Sequence, residues 1–304
     1  MSYTRPESDA VEFSWVGASV YTRPDHDAVE FSWEPSGATL TVINLSTSLI
    51  TATSARFNWE AGTPALWTPA EITTALWLDG ADADTITLNS GNVSQWDDKS
   101  GNARHATQAS SAQQPLYDLA SLNGKNTLAF DLDYLTTPAS LTQPTSYFFV
   151  ARADGTARSD RCYVIDGVNS TNRNIIAMSG TGTSTLAQPL SIWASNWLNS
   201  GFITGDNAWR QHAAVFNGSI SELWVDADLK NTGSLPIVNA SNGLNIGTNL
   251  SANADWLIGN IAEMIAIDSL VSQSDREKIE GYLAWKWELE ANLPSGHPYK
   301  DAAP

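Results

Sequence analysis

Alternation at a period of two is the first regularity along this chain. Val11, Phe13 and Trp15 alternate with Glu12 and Ser14, and Val29, Phe31 and Trp33 alternate with Glu30 and Ser32. Successive side chains of a strand point to opposite faces, so each run predicts a short β-strand with one apolar face. The two runs lie in a repeat. Residues 3–15 read YTRPESDAVEFSW and residues 21–33 read YTRPDHDAVEFSW, identical at 11 of 13 positions with a period of 18 residues. Pro6 and Pro24, each followed by an acidic residue, mark the turn before each strand. Residues 54–59 (SARFNW) keep the Phe-x-Trp pair, as a worn third copy would. Two such strands cannot bury their faces alone, so they pack on each other, on the neighbouring domain or on a partner.

A strand-like run at 39–45 and a Thr/Ser-rich stretch ending at Pro64 and Pro69 follow. They place a domain boundary there, dividing the chain into an N-terminal β-repeat region, 1–70, and a larger domain, 71–304. In the larger domain, short apolar runs stand at 75–78, 93–96, 127–132, 146–151, 161–165, 174–178, 190–193, 211–216, 219–225, 243–246 and 257–267. Gly, Asn, Asp and Ser separate them, with no helical pattern between. Such spacing predicts an all-β fold, an antiparallel two-sheet sandwich. The run 147–151, YFFVA, is apolar throughout, as a strand buried on both faces would be. One helix is predicted near the C-terminus. Ser272 followed by Asp275 fits an N-terminal cap, and Ile279, Tyr282, Leu283 and Trp287 fall on one helical face. Asn292, Pro294 and Gly296 are the predicted stop.

Composition narrows the functional classes. The 13 Trp, 8 Tyr and 8 Phe need burial, which excludes full-length disorder. With 33 acidic against 16 basic residues, the net charge of −17 argues against non-specific binding to nucleic acid or to anionic membranes. Cys162 is the one cysteine, so an intrachain disulfide framework and a multi-cysteine metal site are both ruled out. The start, MSYTRPESD, lacks an apolar h-region, and no run of 18 apolar residues follows it. Synthesis in a cytoplasm, without a secretory signal or a membrane span, is therefore expected.

Three ordered motifs then carry a resemblance. They are ALWLDGADAD (75–84) with SQWDDKSGNARHAT (94–107), then GNIAEMIAI (259–267), then IEGYLAWKW (279–287) with LPSGHPY (293–299). Together they resemble the concanavalin A-like (laminin G-like) jelly-roll domains of tailed-phage and prophage virion proteins, over about 71–304. The 18-residue repeats resemble short repeats of phage structural proteins. This resemblance implies a two-sheet jelly roll on a virion, made in a bacterial host's cytoplasm. It implies other virion proteins of the capsid or tail as partners, in a homo-oligomer. No ligand follows from it, because the fold hosts lectins, hydrolases and scaffolds alike.

Candidate chemistry is sparse. Asp97, Asp98 and Asn102 offer hard oxygen ligands of the kind Ca²⁺ takes; the competing reading is a strand-end turn, with Gly101 supplying a positive φ and Lys99 weakening the metal case. No other cofactor is indicated. Glu222 and Asp226 project to one strand face with Trp224 between them, yet Asp228 runs into 230–233, which reads as a hairpin turn, and a hydrolase-type acidic motif is absent. Ser nucleophiles lack a Gly-x-Ser-x-Gly elbow, and the 180–184 segment lacks the context of a phosphate loop. Trp193, Trp197 and Trp209 lie among Asn, Gly and Ser, where aromatic rings stack on sugars or plug the end of a sandwich.

The expectation is a non-enzymatic virion structural protein. Val11, Phe13, Trp15, Val29, Phe31 and Trp33 attach it to the particle, and the jelly roll is displayed on a fibre, spike or capsid surface. A host surface glycan is the candidate ligand at Trp193, Trp197 and Trp209. Two alternatives stand beside this reading: a capsid decoration protein with a purely stabilising role, and a polysaccharide-degrading enzyme.

Overall fold

Two two-residue strands stand near the start, β1 (Tyr3–Thr4) and β2 (Glu12–Phe13), paired antiparallel with Tyr3 opposite Phe13. Both strands belong to the first repeat copy. This computed structural model describes those four residues and 67–304, apart from 154–161, 172, 179–188 and 241. Val11, Trp15, Val29, Phe31 and Trp33 lie outside the described residues, and of Phe13 only the backbone is described. The chain divides into two units, 1–66 and 67–304.

Seventeen strands and one α-helix are described in the second unit. They open with β3 (Leu76–Asp79), β4 (Ile86–Asn89), β5 (Asn92–Trp96), β6 (Ala106–Thr107), β7 (Leu116–Leu122), β8 (Lys125–Asp131) and β9 (Leu135–Thr137). Next come β10 (Thr145–Ala153), β11 (Cys162–Gly167), β12 (Ile175–Met178), β13 (Ser191–Trp193) and β14 (Trp197–Asn199). The last are β15 (Arg210–Phe216), β16 (Ser221–Val225), β17 (Asp228–Gly233), β18 (Leu244–Ile246), β19 (Ile258–Ile267) and α1 (Gln273–Trp287).

All pairings are antiparallel. One half of the sheet runs β7-β8-β19-β10-β15-β16-β17, with β3 beside the second part of β19 on the edge that β8 occupies along its first part. The other half runs β4-β5-β6-β9-β18-β11-β12-β13-β14. A single residue pair, Asn92 with Leu116, joins the halves between β5 and β7. At the far side the Asn231 side-chain amide of β17 donates to the Asn199 carbonyl of β14 at 2.7 Å. The strands therefore form one sheet that wraps almost closed, where the sequence pattern predicts two separate sheets. Period-two patterning specifies which face of a strand points inward; it carries no information about which edges meet.

Inward side chains such as Leu78, Trp96, Leu128, Phe130, Tyr147 and Phe149 fill the interior. A second apolar layer covers the outer face of the first half, where Trp77, Phe148, Val150 and Ile265 meet Ile279, Leu283 and Trp287 of α1. That layer explains the unbroken apolar run of β10, whose residues 147–151 are all buried. The helix begins as its cap predicts, with the Ser272 hydroxyl accepting from the Asp275 amide at 3.1 Å. It stops earlier than Asn292. Glu288 adopts a left-handed conformation, φ 56°, and the Leu289 amide turns back to the Ala284 carbonyl at 2.8 Å. Two residues distant in sequence hold that turn: Asn123 donates to the Trp287 carbonyl at 2.7 Å and Lys125 pairs with Glu288 at 2.7 Å.

The predicted turn at 230–233 is also displaced. Asp226 and Ala227, both with positive φ (50° and 60°), form the two-residue turn, so Val225 faces Asp228 and residues 228–233 continue as β17. Further along, Gly259 is required by close approach: its φ is 152°, and a Cβ there would stand 2.1 Å from the Arg152 carbonyl.

His212 on β15 carries a testable pH dependence. It is 2% exposed, stacks on Phe149 with centroids 5.0 Å apart, and neither ring nitrogen has a hydrogen-bond partner among the described residues. Burial, helped by the Arg210 charge, pulls its pKa down to about 3. The folded state thus resists a proton that the unfolded chain accepts near 6.5. Its contribution is complete above pH 6.5 and is lost as pH falls toward 3, at a limiting slope of about 1.4 kcal/mol per pH unit. The expected result is that His212→Phe removes that slope, seen as the difference between variant and parent in urea unfolding from pH 7 to pH 4. Parallel curves would refute it.

Candidate functional site

The outer face of the β11–β14 half is built by simple alternation. Ile176 and Ile192 point into the core, so Tyr163, Ile175, Ala177, Trp193 and Trp197 between them cluster on the outside. Trp193 and Trp197 are directly opposite one another across the β13–β14 hairpin, and Ile175 is opposite Trp193. Both indoles are half-buried. Tyr163 lies tilted against Trp197 with ring centroids 6.4 Å apart. Sequence reading placed Trp197 in a loop; it lies on β14, because the turn between the tryptophans takes only residues 194–196.

A charged pair borders this aromatic step. The Arg173 guanidinium stands 5.4 Å from the Trp193 ring, and it grips Asp166 with both arms, Nε to Oδ1 at 2.8 Å and Nη2 to Oδ2. Burial disfavours the Arg173 charge, but Asp166 outweighs it and lifts the guanidinium above its ordinary value. The Leu250 amide also donates to Asp166, at 2.7 Å. A polar row then crosses the strands: Asn245 opposite Asp166, Thr136 opposite Asn245, Thr107 opposite Thr136 and Gln95 opposite Thr107. Helix α1 packs on the other half; on this face Trp193, Trp197, Arg173, Thr136 and Gln95 are half-buried and Thr107 is exposed, while Asp166 and Asn245 are buried. Flat apolar rings beside fixed donors and acceptors suit a sugar, whose C–H face stacks while its hydroxyls hydrogen-bond.

The other candidate residues fall elsewhere. Trp209 belongs to the layer under α1 on the outer face of the opposite half, with Arg152 5.1 Å from its ring. The three tryptophans thus form two separate places. In the 97–102 loop, Asp98 is 8% exposed and accepts from the amides of Trp77, Ser100 and Arg104 and from the Ser100 hydroxyl. The Asn102 amide nitrogen turns to the carbonyls of Thr74 and Ala75, and Asp97 accepts from Gln95. The Asp98 oxygens hold the loop against Trp77 of β3, the work of a turn. His105 accepts from the Asp98 amide at 3.1 Å. Glu222 accepts from the Trp224 indole at 3.0 Å, and Asp226 accepts from the Gln211 amide at 3.1 Å. Burial pushes Asp226 up to about 6.

No family model matches the sequence, and no curated protein matches it. Among solved structures, domain 4 of AbnA, a GH43 extracellular arabinanase from Geobacillus stearothermophilus in complex with arabinotriose, is similar at 11% identity. That match covers 66% of this chain and 95% of the domain, with a TM-score of 0.49. A GH54 α-L-arabinofuranosidase is similar at 14% identity over 62% of this chain and 50% of its own, TM-score 0.48. The receptor-binding domain of botulinum neurotoxin type G is similar at 11% identity over 70% of this chain and 52% of its own, TM-score 0.45.

Proposed function

We propose that the chain is a non-enzymatic, lectin-like module that binds glycans and is displayed on a virion surface by its N-terminal repeats. In this reading the fold is a jelly roll whose two sheets have joined along one edge. The observation that carries it is the Trp193–Trp197 step beside the Arg173–Asp166 pair, on the outer face that α1 leaves uncovered. Tryptophans opposite one another on adjacent strands have Cβ atoms about 4.5–5.5 Å apart, so they present one continuous platform. The virion setting is supported by the ordered motifs and the 18-residue repeats. Copies docking through one chain reinforce each other by effective concentration.

The test combines both halves of the reading. Trp193→Ala with Trp197→Ala should reduce binding to host surface polysaccharide at least about ten-fold, since aromatic stacking contributes roughly 0.5–1.5 kcal/mol beyond buried area. Binding is measured well below the thermal midpoint, which the loss of two half-buried indoles lowers. A fragment of residues 67–304 should keep that binding but fail to join particles. Full glycan binding by the double variant would end the proposal. The pKa of Asp226, near 6, favours the enzyme alternative, because a general acid works best near the operating pH. Release of reducing ends that Asp226→Asn abolishes would establish it.

A further inference from the structure

A polar row crosses the outer face of the first half beside the layer covered by α1. It begins at Asp118 on β7, which is opposite Thr127 on β8, and reaches Asn260 on β19 and Arg152 on β10, which are opposite each other. It ends at Trp209, just before β15. The row is wired from within. The Asn260 amide nitrogen donates to Asp118 at 3.0 Å and to the Thr127 hydroxyl at 3.1 Å, and its oxygen accepts from Arg152 Nε at 3.0 Å. Thr127 and Asn260 are buried, at 0% and 4% exposure, so the amide has no freedom to turn.

That wiring fixes the guanidinium. Arg152 lies over the Trp209 indole, 5.1 Å from its centre, with Nε committed to Asn260. Its two terminal nitrogens donate to no described residue, and no described carboxylate pairs with it. The contrast with its neighbours is chemical. Arg173 is held by Asp166, Arg210 by Asp206 and Arg276 by Glu280, while Arg104 gives Nη1 to the Ala75 carbonyl. A half-buried, oriented guanidinium without an acid among the described residues is an open fork. A second orphan lies close by on the same strand face. Gln211, two residues beyond Trp209, is 2% exposed, and both of its side-chain amide atoms lack a hydrogen-bond partner among the described residues.

We propose that Arg152, oriented by Asn260 and stacked on Trp209, binds the carboxylate of an acidic sugar, forming a second saccharide subsite on the face opposite the Trp193–Trp197 step. The proposal rests on the glycan-binding reading. A planar carboxylate matches the two terminal nitrogens bidentately, and a neutral sugar offers no such partner. The module would then hold two points of an anionic polysaccharide, or bridge two strands of it.

Calorimetric titration of the full chain with short galacturonate oligomers and with their methyl-esterified, uncharged forms tests this. The parent protein should prefer the acid form at least about ten-fold at low salt, as expected for a charge-assisted bidentate contact. Arg152→Gln should abolish that preference. Arg152→Lys keeps charge and stem, so it guards against misfolding, and it should bind the acid form several-fold more weakly than the parent because the fork is gone. Trp193→Ala with Trp197→Ala should leave the acid preference intact. Unchanged preference in both Arg152 variants would overturn the proposal, as would an acid preference lost in the double tryptophan variant instead. Competition by inorganic phosphate as strong as that by the oligomer would also overturn it, by showing a general oxyanion site. Neutral binding that needs Trp193 and Trp197, with no acid preference, would sink this inference alone. An acid preference through Arg152 with no effect of the tryptophan pair would instead sink the placement of the first site.

Discussion

Lys286→Met is expected to destabilise the domain by about 3–5 kcal/mol, the usual cost of removing one partner from a buried ion pair. Lys286 reaches from α1 to Asp79 and Glu263, at 2.7 Å each, and those carboxylates are 5% and 0% exposed. The two acids fare differently once it is gone. Asp79 keeps Lys99 at 2.8 Å. Glu263 keeps three neutral donors, the indoles of Trp77 and Trp287 at 2.7 Å and the Tyr282 hydroxyl at 2.9 Å, but no positive charge. Burial, opposed by Lys286 and reinforced by the Asp79 charge, already raises the Glu263 carboxyl above its ordinary value. Without Lys286 it rises further. A folded pKa above the unfolded one contributes stability at low pH that is lost as pH rises, so the deficit should be largest at neutral pH and shrink on acidification. Urea unfolding at pH 7.5 and pH 5 reads this directly. Adding Glu263→Gln should recover part of the loss, because it removes the uncompensated buried charge while its one amide oxygen still accepts from the Trp77 indole and the Tyr282 hydroxyl; the Trp287 N–H is left without its acceptor. A variant within about 1 kcal/mol of the parent at pH 7.5 would refute the argument.

Trp287→Ala is expected to cost about 3–5 kcal/mol from packing, with roughly 1.5–3 kcal/mol more for the donor it removes from a charged acceptor. Trp287 is 0% exposed between α1 and β19, and its indole donates to Glu263 Oε2 at 2.7 Å. Trp287→Phe separates the two contributions by keeping most of the ring while deleting the N–H. Because Lys286 and Trp287 meet on one carboxylate, their effects should not add. Denaturant midpoints for the single and double variants measure that coupling, and strict additivity would show that Glu263 does not link them. Either substitution consumes a large share of the 5–15 kcal/mol that typically holds a domain together.

The network behind both predictions is absent from any local pattern. Asp79, Glu263 and Lys286 lie on β3, β19 and α1, and in sequence Glu263 reads only as an acidic interruption of an apolar run. What places it is register. Glu263 pairs with Asp79 on one side and Val150 on the other, which sets a carboxylate under the helix. The Arg152 row has the same origin, since Asp118, Arg152 and Asn260 become neighbours through the β7–β8, β8–β19 and β10–β19 pairings. Six strands, β4, β6, β7, β9, β14 and β17, escaped the sequence reading, because they are short or do not alternate between a buried and an exposed face. In β7, Leu116 and Leu119 are exposed, at 50% and 68%, so its apolar residues do not trace the buried face. Strand β17 is mostly exposed, and β14 has three residues.

The sequence by itself determined the all-β character, the two-sided burial of β10, and the start and apolar face of α1. Each of these depends on residues within one helical turn or one strand, where periodicity and capping act locally. Only the tertiary structure decided that the sheet wraps almost closed, that Glu288 ends the helix, and that Trp193 and Trp197 share a face while Trp209 joins Arg152 on the other. Those outcomes depend on which strand edges meet and which face α1 covers. Such choices are made by contacts between residues far apart in the chain, and a local pattern of apolar and polar positions does not encode them.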